Sequence, residues 1–321
     1  MTGVAKLVDI QFALILPLIF ISAYTYSQDT PSVSTVTAAK PVVVSRLQTI
    51  GIEPGARPTT VYSEQAYFEA PNWTRDGKSL LFDEGGRIMR ISVNGGSPAP
   101  VNTGSANKCS GSHGLSPDGT LLAISCSTPD LPGSRIYVLP SSGGKPRVVT
   151  GNPGAYWHSW SPDGKTLFFT RPLQGSFNIY SIAVDGHGET PLTTGTGTND
   201  DPDASPDGKY VYFNSDRTGS MEIWRMHPDG SSPEQITFDD LVNWTAHVSP
   251  DGCWMVFLSY RKGTTGHPAN QKVSLRLMSL NDRKIRVLTD LIGGSGTINV
   301  PSWSPDSRHL AFVAYELKTS E

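Results

Sequence analysis

Three histidines lie in polar, aromatic stretches of this sequence: His113 after Gly111-Ser112, His158 after Tyr156-Trp157, and His247 after Asn243-Trp244-Thr245-Ala246. Between the second and third stands an acidic run, Asp200-Asp201-Pro202-Asp203. Imidazole with carboxylate is the donor set of a transition-metal site. A divalent metal on His113, His158 and His247, helped by Asp200 or Asp201, is therefore one expectation. The plainer one is that no cofactor is held and that His113 and His158 hydrogen-bond loop backbone. The three aspartates lack the regular spacing of a calcium loop, which favours a solvated loop there. Tyr156, Trp157 and Trp244 add flat apolar faces, and Glu69, Asn243 and Asn299 add hydrogen-bonding groups. Such a mixture suits a saccharide or a peptide. The expected ligand-binding set is thus Glu69, His113, Tyr156, Trp157, His158, Asp200, Asp201, Asn243, Trp244, His247 and Asn299, with no catalytic residue assigned.

Residues so far apart act together only if the fold gathers them, and an internal repeat does so. Thr74-Arg75-Asp76-Gly77 begins a series continued by Ser116-Pro117-Asp118-Gly119, Ser161-Pro162-Asp163-Gly164, Ser205-Pro206-Asp207-Gly208, Ser249-Pro250-Asp251-Gly252 and Ser304-Pro305-Asp306-Ser307. The turn aspartates are 42, 45, 44, 44 and 55 positions apart. A unit of about 40–50 residues is what a four-stranded propeller blade needs. Pro presets φ, Asp bonds the local backbone and Gly tolerates positive φ, so each tetrapeptide predicts a tight turn.

Upstream of each turn a short inner strand is expected, as in Tyr156-Trp157-His158-Ser159-Trp160. Downstream, the sixth residue after the turn Asp is Phe82, Ile124, Phe169, Phe213, Phe257 or Phe312, and the fourth and fifth are mostly apolar. A strand apolar on both faces fits between stacked blades. An alternating third strand such as Ile179-Tyr180-Ser181-Ile182 and a short outer strand such as Glu234-Gln235-Ile236-Thr237 complete the unit. Only 15 residues follow Asp306, too few for the last two strands of a sixth blade. The stretches 46–50 and 59–62 supply them, so the expected fold is an all-β six-bladed propeller closed by its N-terminal strands. Loops entering the inner strands converge on one mouth of the channel, where the candidate residues cluster. There His247 lies one position out of phase with His113 and His158. The stretch from Tyr260 to Gln271, with Arg261, Lys262, His267 and Asn270, is an insertion of about ten residues that suits a flap or a tolerated excursion.

Residues 1–27 read as a signal peptide, with Lys6 ahead of an apolar run from about Ile10 to Ala23 that is shorter than the ~20 residues needed to cross a bilayer. Residues 28–41 read as a Thr, Ser and Pro linker, and 42–321 as the propeller. A periplasmic or secreted protein follows, without membrane insertion once the signal is cleaved. In that setting Cys109 and Cys126, opposed on one hairpin, are expected to form a disulfide, leaving Cys253 a free thiol. Net charge is −3 with no Lys/Arg run, and no nucleotide loop, nucleophile elbow, zinc-protease helix or nucleic-acid helix module is present. Nucleic acid is excluded as a partner, and a monomer is expected.

The core Trp160-Ser161-Pro162-Asp163-Gly164-Lys165, and its shorter form Trp303-Ser304-Pro305-Asp306, resemble the repeat of TolB-like six-bladed propellers. The resemblance spans roughly residues 42–316. It implies the six-bladed propeller without the α/β domain that precedes it in TolB, so the role of TolB in an envelope complex is not carried over; the loops at the channel mouth are what point to a ligand or an envelope or extracellular protein bound there. Oligogalacturonate lyases are similar propellers with a metal on central histidines. They imply the alternative, a metal-dependent enzyme acting on an acidic carbohydrate.

Overall fold

The computed structural model of the chain describes residues 42–318 apart from 174 and 196. The proposed signal segment 1–27 and linker 28–41 lie outside the described residues. Within them there is no helix, and the chain forms six antiparallel sheets, five of four strands and one of three. From channel to rim, blade one is Phe68–Trp73, Ser79–Glu84, Arg87–Ser92 and Ala99–Pro100. Blade two is Lys108–Leu115, Leu121–Ser127, Arg135–Pro140 and Arg147–Val148. Blade three is Tyr156–Trp160, Thr166–Leu173, Ser176–Ala183 and Thr190–Pro191. Blade four is Asn199–Ala204, Val211–Ser215, Glu222–Met226 and Glu234–Gln235. Blade five is Val242–Val248, Trp254–Tyr260, Gln271–Ser279 and Ile285–Gly293.

Blade six joins the two ends of the chain. His309–Lys318 pairs along its whole length with Val42–Gly51, from Val42 against Lys318 to Gly51 against His309. Thr59–Glu64 adds the outer strand, and Trp303 bridges Leu310 on the inner side. The N-terminal strands therefore supply the third and outer positions, as the shortfall after Asp306 predicts. The outer edge strands of blades one to four are two residues long, that of blade six is six and that of blade five is nine.

The Ser-Pro-Asp-Gly repeat is explained by its hydrogen bonds. In every turn a Ser or Thr hydroxyl donates to the turn Asp carboxylate at 2.5–2.7 Å. The same carboxylate accepts the backbone N–H two residues on, and the hydroxyl accepts the N–H that begins the next strand. The polar groups exposed by the tight turn are thus satisfied locally. Between blades, the Phe or Ile six residues past each turn Asp is fully buried in all six units. At about 1.5–3 kcal/mol for each such side chain, this stacking is the main source of cohesion in the ring.

Candidate functional site

The mouth is shaped by bulges in the inner strands. Register slips between Glu69 and Asn72, Cys109 and His113, Trp157 and Ser159, Asp200 and Asp203, and Trp244 and His247. Ala70, Gly111, Asp201 and Thr245 take left-handed backbone at four of these slips, with φ of 61°, 79°, 51° and 57°. A bulge re-aims side chains and frees backbone groups for contacts outside the sheet. Here such contacts tie blade five to blade four, blade three to blade two, and blade one to the segment that leads into blade six. Thr245 Oγ1 donates to Asp201 Oδ2 at 3.2 Å, Trp157 N donates to Ser125 Oγ at 2.7 Å, and Ala70 N donates to Gly296 O at 2.9 Å.

Two clusters form on opposite sides of the ring. On blades three and four, His158 Nδ1 stands 3.2 Å from Asp201 Oδ1, and Nε2 stands 3.6 Å from Asp200 Oδ1. His158 Nε2 is also 3.1 Å from Thr170 Oγ1, while Nδ1 has no hydrogen-bond partner among the described residues. His158 is 7% exposed, and both aspartates are buried. Burial pushes the imidazole down to about 4, against the pull of Asp200. Burial, then the adjacent Asp200 charge, raises the Asp201 carboxyl well above the ordinary aspartate range.

On blade one, across a six-fold ring from blade four, Glu69 accepts a hydrogen bond from Tyr67 Oη at 2.9 Å. Tyr67 is 42% exposed and stacks on buried Tyr315, with ring centroids 5.2 Å apart and planes 7° apart. Glycines clear the space around this carboxyl. A Cβ at Gly111 would stand 2.3 Å from Glu69 Oε1, and one at Gly296 would stand 2.7 Å from Glu69 Oε2. Burial raises Glu69 to about 7, although the Tyr67 hydrogen bond opposes this, and burial raises the neighbouring Asp83 to about 6. Asn299 belongs to this side, its amide nitrogen within van der Waals reach of a Cβ at Gly111.

A groove of about 720 Å³ opens beside Asp200 and is lined by Phe177, Asp216, Met221, Trp244 and the insertion residues from Lys262 to His267. His267 packs on Trp244 with ring centroids 4.5 Å apart. The insertion therefore roofs one side of the mouth. Tyr156 is only partly buried, its ring edge-on to Phe177 at 6.0 Å.

Several of the expected ligand contacts are buried within the blades. Trp157, expected as a flat surface at the mouth, is 1% exposed and packs between blades two and three against Gly114. Trp244 is 2% exposed and lies at the wall of the groove, with His267 packed on its ring. Asn243 is fully buried as a hub, donating to Glu222 and Asp239 and accepting from Ser259. The acidic run is no solvated loop: Asp200, Asp201 and Asp203 are all buried, and Asp203 Oδ2 accepts the N–H of Val248 at 2.9 Å.

The three histidines do not form one site. His113 is fully buried with Nδ1 3.0 Å from Gly111 O, the loop-backbone contact expected of it. His247 is held by Ile298 O at 2.6 Å from Nε2, with Nδ1 3.6 Å from Asp203. Only His158 meets Asp200 and Asp201 closely enough, within 4.8 Å, to share an ion. Cys109 and Cys126 face one another in register and form a disulfide, and Cys253 is an exposed free thiol.

The sequence reading missed Tyr67, Asp83, Thr170, Tyr315 and the two clearing glycines. A signal for part of this set exists. The seventh residue after the turn Asp is Asp83, Ser125, Thr170 or Asn214 in the first four units, a polar position recurring in an apolar strand. Thr170 and Asn214 bond the bulged inner strands, and Ser125 bonds the next blade.

With the ring and mouth defined, the chain can be set beside known proteins. The family model of the TolB beta propeller domain matches residues 132–295. The protein Atu1656 of Agrobacterium fabrum (strain C58) is 47% identical over 256 residues, covering 79% of this chain and 87% of the relative. A solved structure from Agrobacterium tumefaciens, named for TolB, superposes with a TM-score of 0.81 at 44% identity, over 87% of this chain and 99% of that one. TolB from Acinetobacter baumannii is similar in fold at 19% identity and a TM-score of 0.56, over 79% and 66% of the two chains. An oligogalacturonate lyase in complex with manganese shares the fold at 17% identity and a TM-score of 0.52, over 84% and 78%. The domain match and the Agrobacterium relatives, read together with six blades closed by the N-terminal strands, show that the chain belongs to the TolB beta-propeller family.

Proposed function

We propose that this protein is an exported, non-enzymatic binding module that takes a positively charged segment of a peptide or protein at the channel mouth. The observation that carries this reading is the seat around Glu69. The Glu69 carboxyl, packed against Gly111 and Gly296, lies next to an exposed tyrosine stacked on a second one, and neither Glu69 nor Asp83 has a Lys or Arg within 4.0 Å among the described residues. Above about pH 7, where Glu69 ionises, carboxylate plus aromatic face is the chemistry that recognises an ammonium or a guanidinium group. Export is supported by the apolar N-terminal segment and by the Cys109–Cys126 disulfide, which persists in an oxidising compartment.

The alternative, a metal-dependent enzyme on an acidic carbohydrate, is the weaker reading. Its three-histidine ligand set is not gathered, and a polyanion would meet like charge at this mouth.

Titration calorimetry with a short Lys/Arg peptide and its Glu-substituted counterpart tests the proposal. The basic peptide should bind, weaken with rising salt, and lose about tenfold in affinity with Glu69→Gln, since a charge-assisted contact is worth about 1.4 kcal/mol or more. Equal binding of the acidic peptide, or no binding of the basic one, overturns it.

A further inference from the structure

We propose that His158, Asp200 and Asp201 form a site for a first-row divalent transition metal, between blades three and four and bordering the groove beside the insertion. Each residue offers one ligand atom, and these atoms lie within 4.8 Å of one another, all on buried side chains. The arrangement differs from an ordinary histidine–aspartate pair. His158 Nδ1 is 3.2 Å from Asp201 Oδ1, yet the two make no hydrogen bond, so the oxygen lies off the direction of the ring nitrogen. Two ligands about 2.0–2.1 Å from a tetrahedral ion stand about 3.3 Å apart, side by side in this manner.

Each ligand is also held from behind. His158 Nε2 is engaged by Thr170 Oγ1 at 3.1 Å, which leaves Nδ1 facing Asp201 Oδ1 at 3.2 Å. Thr245 Oγ1 donates to Asp201 Oδ2 at 3.2 Å and leaves Oδ1 facing His158. The N–H of Asp201 donates to Asp200 Oδ1 at 2.9 Å. Outer partners of this kind fix the orientation of metal ligands.

The charge argument points the same way. Two buried adjacent carboxylates repel, and among the described residues no Lys or Arg comes within 4.0 Å of either. A divalent cation supplies the missing positive charge. One imidazole with two carboxylates favours manganese, zinc or cobalt over calcium and magnesium, which prefer oxygen alone. Three protein ligands leave a coordination position open, and Asp200 places it at the groove. The inference concerns the metal alone and does not depend on the charged-peptide reading.

The test uses full-length protein stripped with a chelator and titrated with Zn²⁺ or Mn²⁺ by calorimetry, with the visible spectrum of bound Co²⁺ as a second readout. One equivalent should bind, and Co²⁺ should show absorption of a nitrogen–oxygen site. His158→Ala and Asp201→Asn should each lose at least a hundredfold in affinity, and Thr170→Val about tenfold, in the range typical of outer partners. His187→Ala and His227→Ala, at exposed positions, should bind as wild type. If His158→Ala does not fold, the Thr170→Val comparison decides. Failure of wild type to bind any of the three ions, or stoichiometric binding that persists in folded His158→Ala or is unchanged in Thr170→Val, overturns the proposal. Peptide binding by the stripped protein would leave the functional reading standing on its own.

Discussion

At the scale of single residues, the mouth is defined by carboxyl groups kept from water and from cations. Glu69 shows the consequence most directly. Its pKa rises from 4.5 to about 7 because burial disfavours the charged form. The folded state therefore holds a proton that the unfolded chain releases. The contribution of Glu69 to stability is full below pH 4.5 and is lost as pH rises toward and through 7. Replacing Glu69 with Gln, which does not titrate, should remove that loss. Denaturant unfolding at pH 4.5 and pH 8 is expected to show Glu69→Gln gaining about 1–3 kcal/mol relative to wild type between the two values. A difference that does not change with pH would show that the carboxyl ionises as freely as in the unfolded chain. The glycines beside it explain how so large a group is seated: neither Gly111 nor Gly296 could carry a Cβ without displacing the carboxyl.

At the scale of elements, each blade is held by its turn and its neighbours, and blade two adds a covalent tie. Cys109 and Cys126 lie opposite one another just outside the bulge that turns His113 inward. The disulfide joins residues 17 apart in sequence and so restricts the unfolded chain, an effect worth about 2–4 kcal/mol. The double variant Cys109→Ser/Cys126→Ser should lose about that much in reversible unfolding, and reductant should reproduce the loss in wild type but not in the variant. The turns respond to acid in the opposite sense to Glu69. Asp118 and Asp163 are held below the usual aspartate range, chiefly by the Ser116 and Ser161 hydroxyls. Their contribution is present above the unfolded aspartate pKa and is lost as pH falls through the folded one. For these groups alone, stability should therefore be greatest at about pH 4–5, between the two losses.

At the scale of the whole molecule, the ring depends on a junction between residues far apart in sequence. Val42–Gly51 and His309–Lys318 are paired over their full length, and Phe312 is buried beside them. Removing residues 42–51 would leave the long strand His309–Lys318 with an open edge, which invites pairing with another chain. A variant beginning at residue 52 is expected to elute as oligomers or aggregate in size-exclusion chromatography, where the full propeller elutes as one species. A monomeric, cooperatively folding truncation would show that blades one to five suffice.

What the sequence determined by itself is the architecture: the repeated turn, the apolar second strand and the shortfall after Asp306 are local features whose spacing admits few other folds. It also marked the loops that hold Glu69, His158, Asp200 and Asp201. Which side chains face the mouth was decided only by tertiary structure. Strand side chains alternate, so a bulge of one residue reverses the face, and it leaves no signature in composition. Trp157 and Asn243 therefore stand where the loops predicted but are packed within the blades, while Tyr67 and Tyr315 reach the site from positions the repeat did not single out. The meeting of His158 with Asp200 and Asp201 belongs to the same class, because it joins two blades whose relative placement exists only once the ring is closed.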